Sequence, residues 1–130
     1  MRRAAFGGLP VTPVTSTATR WLRAAGAVMA GSAVALAAYA SHAADPAVRG
    51  NLQTVALFGI AHGIALAALA RGPLSRLATT GLAMLLSGTL LFGGALLAKA
   101  LAGTSSAPAP FGGMLMIGGW LVLAAAALRD

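Results

Sequence analysis

Few residues in this 130-residue chain could move a proton or hold an ion: His42, His62, Lys99, Asp45 and Asp130. There is no cysteine, which excludes disulfides, thiol catalysis and cysteine-ligated metals or iron–sulfur clusters. His62 stands out, because residues 50–70 around it contain no Asp, Glu, Lys or Arg. Counted from Leu52, it lies about ten residues along a helix, or about 15 Å at 1.5 Å per residue. In a bilayer that is close to the midplane, where an ionisable side chain is rare and functional by default. The structural alternative is a neutral imidazole that makes one interhelical hydrogen bond, worth about 1 kcal/mol. Trp120 and Ser87 sit at similar depths in the fourth and third apolar runs, so His62 can meet either one. The structural alternative is preferred.

His42 falls at the outer end of the first apolar run, next to Asp45 and, if the helices are neighbours, Lys99. The expected role of such a cluster is headgroup anchoring, with the helix stopping at Asp45-Pro46. Lys99 can snorkel to the surface without a partner. Antiparallel helices would hold His42 and His62 about half a membrane apart, and no third ligand is evident, so no haem, metal or other cofactor is expected. A proton-coupled carrier should hold a carboxylate within the membrane. Both aspartates lie outside the apolar runs, which argues against a transporter but leaves a passive pore open.

The elements that must position these residues are four uncharged or nearly uncharged runs. A bilayer core of about 30 Å takes about 20 apolar helical residues to cross. Residues 24–44, 50–70, 77–98 and 111–128 each approach or meet that length with no Asp, Glu, Lys or Arg. Hydrophobic residues make up 58% of the chain and charged ones 8%, against about 25% charged in soluble domains. The fold class is therefore an all-α membrane protein, with four transmembrane helices in an up-down bundle. The helices are expected at about 21–43, 52–70, 77–101 and 111–128, in one domain behind a disordered cytoplasmic leader, residues 1–20.

Arg2-Arg3 faintly resembles a twin-arginine export signal, but the apolar run begins too late for one. Ala38 and Ala40 ahead of Pro46 also fit a signal-peptidase site, with cleavage after Ala40. The first run is longer than the usual h-region of about 7–15 residues, which favours a retained helix. Gly72 and Pro73 end the second helix, and Ser75 can cap the third. Residues 103–110, GTSSAPAP, read as a loop.

The net charge of +7 could suggest nucleic acid. The basic residues lie at the ends of the apolar runs and not on one face, so no nucleic-acid partner is expected. They set orientation instead. Arg2, Arg3, Arg20, Arg23, Arg71, Arg76 and Arg129 share one side; Arg49 and Lys99 share the other. Both termini are expected in the cytoplasm, with the protein multi-pass in the inner (plasma) membrane and the lipid bilayer as its first partner.

Lipid tails are as apolar as leucine, so helices associate by close packing of small residues. Three seams are expected: Gly31, Ala35, Ala38 and His42 on helix one; Gly81, Gly88 and Ala95, continued by Lys99, on helix three; Gly112, Gly119 and Ala126 on helix four. The seven-residue period of the last two suits left-handed crossings.

Four stretches carry a family resemblance across residues 24–127. Gly26 followed by AYASHA at 38–43 is similar to G-A-F-G-A-H-A, and FGIAHGIAL at 58–66 to Y-x-x-x-H-A-L-A-L. LLFGGALL at 90–97 is similar to F-S-G-S-L-Y, and APFGGMLMIGGWLVLA at 109–124 to T-P-I-G-G-x-x-F-x-x-G-W-x-x-L-A. On these the chain resembles the domain of unknown function 423 family (DUF423), relatives of transmembrane protein 256. Ala37 and Ala40 stand where the motif has glycine, Phe58 where it has tyrosine, and Gly93, Ala95 and Leu97 where it has Ser, Ser and Tyr. The missing hydroxyls weaken any polar path through helices two and three. The resemblance implies a four-helix inner-membrane protein and supplies no reaction. The function expected is a non-enzymatic structural or accessory membrane protein, partnered with a second copy of itself or a larger membrane complex. A small channel or carrier using His62 is the alternative.

Overall fold

Asp45 and Pro46 begin a helix as well as ending one. The Asp45 carboxylate accepts a hydrogen bond from the Ala47 N–H at 2.8 Å, and Pro46 occupies the first turn, where its missing N–H is no loss. In the computed structural model, which describes residues 15–42 and 45–129, the second helix therefore starts six residues before the expected position 52. The four helices are α1 (Thr17–His42), α2 (Pro46–Leu69), α3 (Arg76–Ala102) and α4 (Ala109–Ala127). All four are long and apolar enough to cross a membrane, and no strand occurs among the described residues.

α1 also starts early. The Ser16 hydroxyl accepts from the Thr19 N–H at 3.1 Å, the bond of a helix N-cap. Residues 17–20, expected in the leader, are thus helical. The rest of the leader, 1–14, lies outside the described residues. The turn between α2 and α3 follows its sequence. Gly72 takes a left-handed φ of 65°, and the Ser75 hydroxyl accepts from the Ala78 N–H at 3.2 Å. α3 ends on Gly103, with a left-handed φ of 64° and its N–H on the Lys99 carbonyl, a termination that favours glycine.

α1 packs along α2 and α3 along α4; α2 joins the two pairs through α3, and α1 touches α3 more lightly. Among the described residues the α4 backbone approaches α3 alone. A core of Leu22, Leu66, Ala70, Leu82, Leu85 and Met116 draws on all four helices. Leu22 is near the start of α1, Leu66 and Ala70 at the end of α2, and Leu82 early in α3. These three helix ends thus lie together.

The seams expected on α3 and α4 are present. A Cβ added at Gly88 would meet the Gly112 carbonyl and Met116 N, both at 2.8 Å; at Gly119 it would meet the Gly81 carbonyl at 2.9 Å. At Gly81 it would strike the Leu123 side chain and the Gly119 carbonyl, and at Gly112 the Phe92 backbone N. Backbone lies on backbone, so a side chain has no room. Gly31 is different: it is exposed, with nothing near its absent side chain. The α1 seam is a stripe of Gly26, Ala30 and Ala33, and it faces Gly59 and Gly63 of α2. A Cβ on Gly63 would meet Ala30 N at 2.6 Å, and one on Gly26 would meet Leu66 Cβ at 2.6 Å and the Gly63 carbonyl at 2.8 Å. Gly59-x-x-x-Gly63 repeats at a step of four, the spacing of close transmembrane contacts.

Candidate functional site

Hydroxyls in this chain mostly bond to their own helix. Thr54 donates to the Gly50 carbonyl, Thr79 to Ser75, Thr80 to Arg76 and Thr89 to Leu85. Ser87, an expected partner for His62, donates to the Ala83 carbonyl at 2.7 Å and is exposed. Such internal satisfaction is what a hydrocarbon environment demands.

His62 is the exception. Its ring is buried, with 7% of its surface exposed. Nδ1 lies 2.9 Å from the Phe58 carbonyl one turn earlier, and the Trp120 indole N–H donates to Nε2 at 3.3 Å. A carbonyl only accepts and an indole N–H only donates. The two bonds therefore define a neutral imidazole with its proton on Nδ1 and its Nε2 lone pair toward Trp120. Among the described residues other than Arg49, no further side-chain hydrogen bond joins two helices. The bond ties α2 to α4, whose backbones do not otherwise meet.

Aromatic rings extend the contact. Phe58 stacks on His62 with centroids 5.8 Å apart and planes 6° from parallel. Phe92 of α3 tilts against Phe58 at 4.9 Å, and Trp120 against His62 at 6.1 Å. One column of rings thus crosses α3, α2 and α4. With α2 starting at Pro46, His62 lies past the middle of its helix, and Trp120 lies just past the middle of α4. In the sequence Phe58 stands out only as a departure from the family's tyrosine, and Phe92 not at all. The step of four from Phe58 to His62, which puts both on one helix face, was the available signal.

The outer cluster does not assemble. His42, Asp45 and Lys99 are all exposed, and no hydrogen bond or ion pair joins them among the described residues. The Asp45 carboxylate instead caps α2. No three His, Asp or Glu side chains among the described residues come close enough to hold a metal ion.

Two apolar clefts flank the column. The larger, about 600 Å³, lies between α1, α2 and α3, beside Gly59, Thr89 and Gly93. The smaller, about 390 Å³, lies where α2, α3 and α4 end or begin, and Trp120 forms part of its wall. No family model, curated protein or solved structure matches the chain.

Proposed function

We propose that this chain is a non-enzymatic integral membrane protein, structural or accessory in role. Its four helices run up and down across the inner membrane with both termini in the cytoplasm. The observation that carries this reading is the bonding of His62. Both ring nitrogens are occupied within the protein, so the one buried ionisable side chain among the described residues serves to join helices. The glycine seams support the same reading, since backbone-to-backbone contact leaves no water path between α3 and α4 or between α1 and α2. The resemblance to DUF423 belongs to the proposal. Two stretches that carry it, at 58–66 and 109–124, meet through His62 and Trp120.

The competing reading is a small channel or carrier in which the Trp120–His62 bond opens. Reconstituted vesicles with an imposed pH gradient separate the two. No flux in wild type or His62→Phe is the result expected. A flux that is present in wild type and vanishes with His62→Phe would replace the structural reading by transport.

A further inference from the structure

The smaller cleft has two chemistries at its two ends. Its walls are apolar: Leu69 from the end of α2, Leu74 from the turn, Ala78 and Leu82 from α3, and Leu123 from α4, with Trp120 the lining residue farthest from the end of α4. The helix ends beside it are cationic. Arg71 lies two residues past Leu69, Arg76 two before Ala78 and Arg129 two past Ala127, which also lines the cleft. All three arginines are exposed and come from the α2–α3 turn, the start of α3 and the residues past α4. Asp45 is at the far end of α2, and even against Asp130 the mouth keeps a positive excess. From Ala127 to Trp120 the cleft extends about 10 Å along α4, at 1.5 Å per residue. Its volume of about 390 Å³ falls within the range of about 300–1,000 Å³ typical of small-molecule clefts.

We propose that this cleft is a binding site for an anionic phospholipid of the cytoplasmic leaflet. The phosphate group sits among Arg71, Arg76 and Arg129, and one acyl chain lies in the cleft with its deeper part against Trp120. Guanidinium groups form paired, charge-assisted bonds with phosphate oxygens, and basic pockets between helices on the cytoplasmic side select anionic headgroups. Only an amphiphile satisfies both ends. A free phosphate leaves the apolar walls uncovered. A helix from a second copy in the same orientation would bring its own arginines against this rim.

The proposal rests on the membrane-spanning reading, and the test separates the two. The chain has two tryptophans, so Trp21→Phe leaves Trp120 as the sole emitter. The full-length variant is placed in vesicles carrying a fixed fraction of phospholipid brominated on its acyl chains, with either a phosphatidylglycerol or a phosphatidylcholine headgroup. Quenching of Trp120 should show a preference of about tenfold or more for the anionic lipid, within what three arginines provide at a membrane surface. The preference should vanish in Arg71→Gln/Arg76→Gln/Arg129→Gln and persist in the corresponding lysine triple variant. It should also vanish in Ala127→Phe, which fills the mouth and keeps every charge. Arg20→Gln/Arg23→Gln, which removes charge elsewhere on the same side, should leave it intact. Equal quenching by both headgroups overturns the site, as does a preference that survives the glutamine variant or is lost equally with Arg20 and Arg23. Absence of quenching by either lipid overturns the membrane reading itself.

Discussion

His62 and Trp120 form a contact between a buried acceptor and a donor that is still 44% exposed. The pairing was partly legible. Two polar side chains at similar depth on different helices can meet, and Ser87 matched His62 in depth as well as Trp120 did. The helix face decided between them, and in a run as uniformly apolar as α3 a lone serine does not reveal its face. Its hydroxyl takes the carbonyl four residues back, as serines in helices readily do. The bonding makes a specific prediction. Imidazole 15N shifts of the wild type should report the neutral Nδ1–H tautomer. Trp120→Phe keeps a ring but removes the indole N–H that donates to Nε2. It should shift the Nε2 resonance toward a free lone pair and cost about 0.6–1 kcal/mol, the measured scale of interhelical hydrogen bonds in membranes. An unchanged Nε2 resonance would mean that the indole N–H does not hold the ring.

The four helices were legible as elements because charge is kept to their ends, and the α3–α4 seam because glycine recurs every seven residues on both. The α1–α2 seam was not legible in the same way. α1 is so rich in alanine that two small-residue stripes coexist on it: one through Gly31, Ala35 and Ala38, the other through Gly26, Ala30 and Ala33. Its own sequence contains no preference, and the partner chooses the face. Gly59 and Gly63 of α2 are the complementary half. The start of α2 was misread because Asp-Pro both stops a helix and starts one. The two stripes of α1 allow an internal control. Gly63→Ala should destabilise by about 1–3 kcal/mol, the cost of overpacking a filled interface, since its Cβ would lie 2.6 Å from Ala30 N. Gly88→Leu and Gly119→Leu should each separate α3 from α4. Gly31→Leu, pointing into open space, should be tolerated. Unfolding in mixed detergent measures the order of stability. Equal tolerance of Gly31→Leu and Gly88→Leu would remove the seams from the account.

At the scale of the molecule, the helices form a succession in which each packs on the next. The His62–Trp120 bond and the shared core tie α4 back to α2. Packing sets the helices relative to one another and not relative to the membrane, so orientation must come from outside the packing. Charge supplies it. The arginines around the α1 start, the α2–α3 turn and the α4 end share the end of the molecule where Leu22, Leu66, Ala70 and Leu82 meet, whereas Arg49 and Lys99 lie toward the other ends of α2 and α3. On the proposed reading the positive end is retained in the cytoplasm. A reporter fused after Ser75, in the α2–α3 turn, should therefore read cytoplasmic, and one after Ser106, between α3 and α4, should read external. Glutamine at Arg71 and Arg76 should weaken that contrast, because it removes the charge nearest the turn, while the glycine contacts within each helix pair stay intact. Two fusions on the same side would mean that α3 does not cross the membrane. The packing of α3 against both α2 and α4 would then have to form outside the bilayer, where nothing would demand that charge be kept to the helix ends.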